Sequence, residues 1–257
     1  MRDRTPSDES RERRLRGLVL AAGPGRRLYP LTEALPKTLL PLGEGRTILD
    51  LVLENLRSVG IDEAAVVTGF AAERIAEQVP ALERRHGLRL ELIFNERAER
   101  WNNAYSLWLA RDAFREGVLL VNGDTVHPPS VEERLLAARG PDVLLAIDQE
   151  KQLGEEEMKV LLVDNGAVSR IAKDVDGSTA DGEYIGVALI EPAAAEPLSD
   201  ALEATWRKDP SLYYEDAWQE FIDRGQNVHA VPIGAVDWVE VDHDGDLERA
   251  REIQCRY

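Results

Sequence analysis

Cysteine is almost absent from the 257-residue sequence, which contains Cys255 alone. One thiol cannot form an internal disulfide, so the sequence is typical of a reducing compartment and predicts a cytoplasmic location. Histidine is also rare: the four histidines are scattered, without the spacing of metal ligands. No nucleophile–histidine–acid arrangement is visible either, which argues against that form of covalent catalysis.

Long apolar segments and an excess of positive charge are missing as well. No apolar run approaches the length of a transmembrane helix, and the charged residues 1–16 lack the apolar core of a signal peptide. We therefore predict a disordered leader at 1–16 and no membrane partner. The 31 basic residues are outnumbered by 48 acidic ones, giving a net charge of −17. This balance argues against a nucleic-acid partner, whereas a homo-oligomer stays open.

Strand and helix patterns alternate along the first half of the chain. This order predicts an α/β fold with three layers, in which helices cover both faces of a mostly parallel, Rossmann-like sheet. We expect residues 17–257 to form one domain, with 150–225 as a small lid over the sheet edge. The predicted strands are 18–22, 64–67, 88–94, 118–121, 143–148, 159–163, 168–171, 183–190, 228–233 and 238–241. The predicted helices are 47–59, 71–85, 104–114, 131–138, 193–206, 214–224 and 246–254.

The stretch 17–43 combines a buried strand with a glycine turn and several cations. An apolar run at 18–22 precedes Gly23-Pro24-Gly25, and basic side chains follow. Glycines allow backbone N–H groups to converge on an anion, so the stretch predicts a phosphate cradle. The dinucleotide fingerprint would need a third glycine at Leu28, and the P-loop would need Gly-Lys-Ser/Thr; neither is present. The alternative is a βα turn of an unrelated α/β protein.

The same stretch has a longer and rarer pattern, L-A-A-G-x-G-x-R-L-x-P-L-T followed by P-K-x-L, at residues 20–39. It resembles the signature of nucleotidyltransferases that join a nucleoside triphosphate to a sugar phosphate or alcohol phosphate. Arg26 departs from it, because the family usually has a small hydroxyl residue there. The resemblance implies a nucleotide-diphospho-sugar transferase-like fold and catalytic roles for Arg27 and Lys37. It also implies nucleotide contacts by Leu20, Ala21, Ala22, Gly23, Gly25 and Arg26.

Two aspartates follow predicted strands. Asp124 ends V-N-G-D, and Asp242 follows Trp238–Val241. Carboxylates opposite a phosphate loop suit Mg²⁺, which binds a few carboxylates together with substrate phosphates. The resemblance implies that Asp124 and Asp242 share one Mg²⁺. Ordinary roles are the alternatives, a turn residue for Asp124 and a helix cap for Asp242.

The segment N-N-A-Y-S-L at 102–107 narrows the resemblance. It is similar to the phosphocholine cytidylyltransferase branch, and a related form occurs in inositol-1-phosphate cytidylyltransferases. On this basis Asn102, Asn103 and Ser106 are predicted to bind the nucleotide. Ser106 could instead cap a helix.

The second half of the chain supplies candidates for the acceptor site, mainly by resemblance. They are Lys159, Lys173, Glu183, Gly186, Tyr214 and Glu215. Tyr213, Tyr214 and Trp218 beside carboxylates could form a cage for a quaternary ammonium group through cation–π attraction. The alternatives are solvated lysines, an ordinary sheet strand, and an amphipathic helix that buries Tyr214 and Trp218.

The resemblance predicts an Mg²⁺-dependent cytidylyltransferase that joins CTP to a small, phosphocholine-like alcohol phosphate and releases pyrophosphate. The first alternative is a sugar-1-phosphate or inositol-phosphate nucleotidyltransferase. A second alternative is a non-catalytic relative that senses nucleotide, whose mark would be loss of the lysine or the aspartates. Lys37, Asp124 and Asp242 are all present.

Overall fold

The computed structural model describes residues 15–254 and 256. Residues 1–14 of the predicted leader and Cys255 lie outside this range, and Arg16 already belongs to the first strand. The strands are β1 (Arg16–Ala21), β2 (Pro41–Gly43), β3 (Arg46–Thr47), β4 (Glu63–Thr68), β5 (Arg89–Phe94), β6 (Val118–Asn122), β7 (Thr125–Val126), β8 (Val143–Asp148), β9 (Lys159–Leu162), β10 (Val168–Ala172), β11 (Gly182–Ile190), β12 (Val228–Pro232) and β13 (Val239–Glu240). The α-helices are α1 (Ile48–Ser58), α2 (Ala72–His86), α3 (Asn103–Leu109), α4 (Ser130–Ala137), α5 (Ala195–Lys208), α6 (Tyr214–Asp223) and α7 (Asp244–Gln254).

One mixed sheet forms the centre of the described chain. Its main order is β10-β9-β11-β6-β1-β4-β5, and β8 pairs with β11 and β12. The strands β6, β1, β4 and β5 run parallel to one another, whereas β11 is antiparallel to β6. Because the carboxyl ends of parallel strands meet at one edge, the loops after β1, β4 and β6 share that edge. The predicted three-layer α/β fold with a parallel centre is confirmed.

Alternation along the central strands creates the two faces of the sheet. Leu18 and Val19 are both fully buried, but Leu18 packs in one core cluster and Val19 in the other, as expected when successive side chains point to opposite faces. Leu107, Leu198 and Trp218, from α3, α5 and α6, cover the Leu18 side. Residues Leu53, Ile75 and Leu135, from α1, α2 and α4, cover the Val19 side.

Two predicted elements differ from the structure. The helix predicted at 104–114 ends at Leu109, and a 3₁₀ helix, Arg111–Glu116, continues from it. Its tighter winding buries Ala113 and Phe114 in the core. Within the predicted lid at 150–225, β11 is a buried strand of the sheet itself, so only the β9–β10 hairpin, α5 and α6 lie outside the sheet centre.

Among residues 15–254 and 256, none of the helices combines the length and the apolar character that crossing a bilayer requires.

Candidate active site

The glycine turn leaves β1 at the carboxyl edge of the sheet. Gly25 has φ +58°, a left-handed conformation that favours glycine. A Cβ there would also lie 3.2 Å from Lys37 Cβ and 3.3 Å from Thr32 Cγ2. The Thr32 hydroxyl donates a hydrogen bond to the Gly25 carbonyl at 2.7 Å and fixes the turn. Gly23 has no such requirement, since a Cβ there would meet nothing within 4 Å.

Lys37 lies between the two predicted metal ligands. Its ammonium donates to Asp124 Oδ2 at 2.7 Å and to Asp242 Oδ1 at 2.8 Å. Arg27 Nη2 lies 3.0 Å from the other Asp242 oxygen, Oδ2. The four residues predicted from three distant parts of the sequence to perform catalysis or bind metal therefore form one ion-pair network.

A short pairing of strands brings the aspartates together. The register of β13 on β7 places Val239 opposite Val126 and Glu240 opposite Thr125. The Val241 N–H also donates to the Asp124 carbonyl at 2.9 Å. Asp124 precedes β7 and Asp242 follows β13, so this antiparallel pair sets the two carboxylates side by side.

A third carboxylate completes the cluster. Glu240 offers an oxygen that lies, with those of Asp124 and Asp242, inside a mutual distance of 4.8 Å. Glu240 was missed in the sequence. Its signal is the spacing: Glu240 and Asp242 are two residues apart on an extended segment, so both side chains point to the same face.

The charges of the cluster shift the pKa of its members. Partial burial opposes the charged form of Lys37, but Asp124 and Asp242 outweigh it and raise the pKa of Lys37. Lys37 and Arg27 lower the pKa of Asp242 against the same effect of burial. Glu240 is exposed to the cleft yet surrounded by protein on most sides. Desolvation and the charges of the two aspartates therefore raise the pKa of Glu240 to about 8.

Three carboxylates against one lysine and one arginine leave a net negative charge that fits a hard divalent cation. Mg²⁺ prefers oxygen ligands and retains positions for water and phosphate. The excess negative charge, visible in the raised pKa of Glu240, is the electrostatic condition that such a cation relieves. The residues Asp124, Glu240 and Asp242 could hold it.

The cluster and the glycine turn line one open cleft of about 1110 Å³. Every predicted site residue borders this cleft except Lys159 and Tyr214. The bordering residues are Leu20, Ala21, Ala22, Gly23, Gly25, Arg26, Arg27, Lys37, Asn102, Asn103, Ser106, Asp124, Lys173, Glu183, Gly186, Glu215 and Asp242.

Asn102 and Asn103 border the cleft and also contact residues at the start of α6. Asn102 caps α3 by accepting from the Asn103 N–H, and its Nδ2 donates to the Ser211 carbonyl at 2.8 Å. Asn103 Oδ1 accepts from the Tyr214 N–H at 2.9 Å. Ser106 does not cap the helix and instead accepts from Asn95 Nδ2. Both asparagines therefore position the start of α6, and contact with the nucleotide stays a prediction.

The prediction of Lys159 as an acceptor contact is wrong. The residue is 1% exposed, and its ammonium donates to the carbonyls of Gly154, Glu157 and Glu155 at 2.9, 3.1 and 3.3 Å. Because these three carbonyls occupy the ammonium, Lys159 closes a loop beneath the cleft.

Lys151 faces the cleft instead, as Lys173 does, and no pattern in the sequence pointed to it. Its ammonium lies 3.2 Å from Glu157 and 3.0 Å from Glu183. It also lies 5.4 Å from the ring centre of Trp238. Both glutamates raise the pKa of Lys151 against partial burial, so the lysine remains a firm positive charge in the cleft.

The prediction of an aromatic cage is also wrong. Tyr214 and Trp218 are fully buried, and their rings pack edge to face with centres 5.8 Å apart. The Tyr214 hydroxyl donates to Asn122 Oδ1 at 2.9 Å. Both residues therefore belong to the core, as the amphipathic-helix alternative predicts. Of the predicted cage, Tyr213 and Glu215 remain at the cleft.

Gly186 has a steric reason to be glycine. It has φ +79°, and a Cβ there would lie 2.5 Å from Asn122 Nδ2. The pairing of β11 with β8 is irregular between Tyr184 and Ala188, which spans this residue. The kink allows the strand to pass close to the end of β6.

The chain is similar in sequence to known proteins. Residues 16–142 match the family model described as Nucleotidyl transferase. The bifunctional IPC transferase and DIPP synthase of Aquifex aeolicus is 26% identical over 91% of this chain and 50% of its own length. The CMP-5'-(3-aminopropyl)phosphonate synthase of Streptomyces rubellomurinus is 31% identical over 92% of this chain and 38% of its own length. The chain thus spans half or less of these two relatives.

A solved structure shows the same fold. The CTP:phosphocholine cytidylyltransferase from Streptococcus pneumoniae superposes with a TM-score of 0.72, covering 94% of this chain and 99% of that one at 21% identity. The motif at 20–39, the paired aspartates and the matched family model lead to one conclusion. Over residues 16–142, the chain belongs to the nucleotidyl transferase family.

Proposed function

We propose that the chain transfers a cytidylyl group from CTP to the phosphate of a small phosphorylated alcohol and releases pyrophosphate. The observation that carries this proposal is the Lys37 ammonium held between Asp124 and Asp242 beside the glycine turn. CTP is favoured because the names of the Streptomyces relative and the Streptococcus structure both specify a cytidylyl product or substrate. Phosphocholine is the first acceptor to test.

The reaction needs no covalent enzyme intermediate. An oxygen of the acceptor phosphate attacks the α-phosphorus of CTP, the new P–O bond forms, and the bond to the β-phosphate breaks as pyrophosphate leaves. Catalysis then consists of positioning and charge stabilisation. The backbone N–H groups of the glycine turn and Arg27 would hold the β- and γ-phosphates, and Lys37 would neutralise charge near the α-phosphorus.

The carboxylates Asp124, Glu240 and Asp242 would hold Mg²⁺. Once bound, the ion would neutralise phosphate oxygens and align the two reacting groups. Lys37 would then release part of its contact with the aspartates and turn towards the phosphates. Lys151 and Lys173, which both border the cleft, would supply positive charge to the acceptor phosphate.

The test is pyrophosphate release with Mg²⁺, each common nucleoside triphosphate and a panel of acceptors. The panel contains phosphocholine, 2-aminoethyl phosphate, inositol 1-phosphate and glucose 1-phosphate. We expect turnover with CTP and a small alcohol phosphate. Asp124→Asn should lower kcat/KM by about 100-fold or more, the scale of losing one preorganised charge contact. Asp112→Asn, a matched change at an exposed position, should leave it unchanged.

Other outcomes would contradict the proposal in distinct ways. Turnover restricted to glucose 1-phosphate with another triphosphate would place the chain among sugar-nucleotide enzymes. Tight CTP binding without turnover of any acceptor would support a nucleotide-sensing role instead.

A further inference from the structure

Glu215 is a buried carboxylate at the acceptor end of the cleft. The residue is 7% exposed, and it borders the cleft beside Tyr213 and Lys173. Its Oε2 atom is buried and has no hydrogen-bond donor among the described residues. A buried charge is ordinarily paired or bound to a ligand, so this oxygen lacks the partner that its position requires.

The neighbouring hydroxyl groups do not supply that partner. Tyr214 must donate its single hydrogen to Asn122 Oδ1, which only accepts. The 3.2 Å hydrogen bond between Tyr214 and Tyr184 then uses the hydrogen of Tyr184. Both hydroxyl hydrogens are therefore directed away from Glu215.

The neighbouring lysine is also engaged elsewhere. Lys173 Nζ lies 3.5 Å from Glu156 and 5.2 Å from the ring centre of Tyr213. Its charge favours ionisation of Glu215 but is outweighed, because burial raises the pKa of Glu215 to about 7.

A second buried glutamate in the cleft provides the contrast. Glu183 is 5% exposed, and its Oε2 lies 3.0 Å from the Lys151 ammonium, so its charge has a partner within the chain even where the angle is poor for a hydrogen bond. Glu215 has the same chemistry and a similar depth without such a partner. The missing partner of Glu215 therefore fits a cation delivered by a ligand.

The chemistry of the missing partner is specific. Oε2 requires an N–H or O–H donor, and a quaternary ammonium has none. Tyr214 and Trp218 face the core, and Lys173 already lies over the ring of Tyr213, which borders the cleft beside Glu215. A protonated primary amine supplies both the positive charge and the hydrogen.

We propose that the acceptor carries a protonated primary amine, whose N–H donates to the Glu215 carboxylate while its phosphate lies at the Asp124–Asp242 end. This inference rests on the proposed function for the reaction at the phosphate. Glu215 borders the same cleft as Asp124 and Asp242. A short aminoalkyl phosphate is therefore the substrate class, and phosphocholine is a poorer member of it.

The experiment compares three acceptors of similar length: 2-aminoethyl phosphate, its trimethylated form phosphocholine, and propyl phosphate. Pyrophosphate release gives kcat/KM, and calorimetry with Mg²⁺ and a non-hydrolysable CTP analogue gives the dissociation constant of each. The wild type should prefer the primary amine. Glu215→Gln should reduce that preference by about 10- to 100-fold, chiefly in KM, the range for a hydrogen bond to a charged group.

Glu220→Gln on the same helix is the matched control, because Glu220 pairs only with Arg224 at the surface within the described structure. The melting temperature of Glu215→Gln should be at least as high as that of the wild type, because glutamine removes an uncompensated charge. Equal binding of the amine and propyl phosphate by the wild type, or an amine preference that survives Glu215→Gln, would overturn the inference. Absence of turnover with intact amine-selective binding would refute the proposed function and support this inference.

Discussion

Replacement of Lys37 by methionine tests whether the lysine and a divalent cation compete for the same oxygens. Methionine keeps the length and apolar stem of lysine but removes the charge between Asp124 and Asp242. The raised pKa of Lys37 means that its contribution is complete below about pH 10.5 and is lost only above it. The lowered pKa of Asp242 means that its contribution is complete above about pH 4 and is lost as the pH falls further. At pH 8 both are present.

The expected loss of stability follows from the burial of the network. The side chains of Lys37, Asp124 and Asp242 are 14%, 23% and 21% exposed. Removing one partner from a fully buried ion pair costs about 3–5 kcal/mol. Partial exposure and the remaining contact from Arg27 reduce this cost to about 2 kcal/mol. For a chain of this size the melting temperature should fall by about 4–8 °C.

The assay is thermal unfolding at pH 8 with and without 10 mM Mg²⁺, without nucleotide. In Lys37→Met the carboxylates are free of the competing ammonium, so Mg²⁺ should raise the melting temperature more than it does in the wild type. Turnover should nevertheless fall about 100-fold, because charge near the α-phosphorus is no longer neutralised. Lys208→Met, at the exposed end of α5, should change neither quantity.

An equal or smaller Mg²⁺-induced shift in Lys37→Met would refute the competition. Near-unchanged turnover would refute the catalytic role of Lys37. The two results are independent, since the first reports on the carboxylates and the second on the lysine.

Two further changes separate structural from catalytic charges. Asp50 is buried and forms a capping box with Thr47 at the start of α1. It also contacts Arg85 and, at 2.8 Å, His86 Nε2. These hydrogen bonds lower the pKa of Asp50 in spite of its burial. Asp50→Asn should therefore lower the melting temperature by about 4–8 °C at pH 7, the effect of about 2 kcal/mol. The difference from wild type should shrink progressively as the pH falls below about 4, because the stability that the charge of Asp50 contributes is lost as its carboxylate becomes protonated in the folded protein; a constant difference from pH 7 to pH 3 would contradict this. Lys159→Met should lower the melting temperature because three carbonyls lose their donor, yet leave KM for the acceptor within twofold; a large rise in KM at unchanged stability would restore the predicted acceptor contact.

Local signals predicted the half of the site that local structure builds. The strand β1 and the turn at Gly25, with its positive φ, both depend on residues that are adjacent in the sequence. The glycine turn could therefore be placed from the sequence. The positions of Asp124 and Asp242 followed from the ends of apolar strands, with the resemblance supplying their shared role. These residues meet because strand ends converge, a property that the α/β order already implies.

The parts of the site that could not be predicted from the sequence depend on contacts between residues far apart in the chain. Glu240 joins the aspartates because a two-residue strand pairs with another two-residue strand more than a hundred positions earlier. Strands this short have no detectable periodicity. Lys151 lies in an irregular segment and Lys159 begins β9, but both follow acidic residues, so nothing local distinguishes the lysine that faces the cleft from the one that binds loop carbonyls.

The error over the cage shows how helix geometry sorts neighbouring residues. Tyr214 and Trp218 are four apart on α6 and so share one face, and the larger apolar area placed that face in the core. Glu215 is one position further, about 100° around the helix, which directs its carboxylate to the cleft while Tyr214 is buried. A quaternary ammonium would need the aromatic faces and the carboxylate on the same side. The helix separates them and leaves the carboxylate alone, and for that reason the specificity of the acceptor site should depend on N–H donors in the substrate.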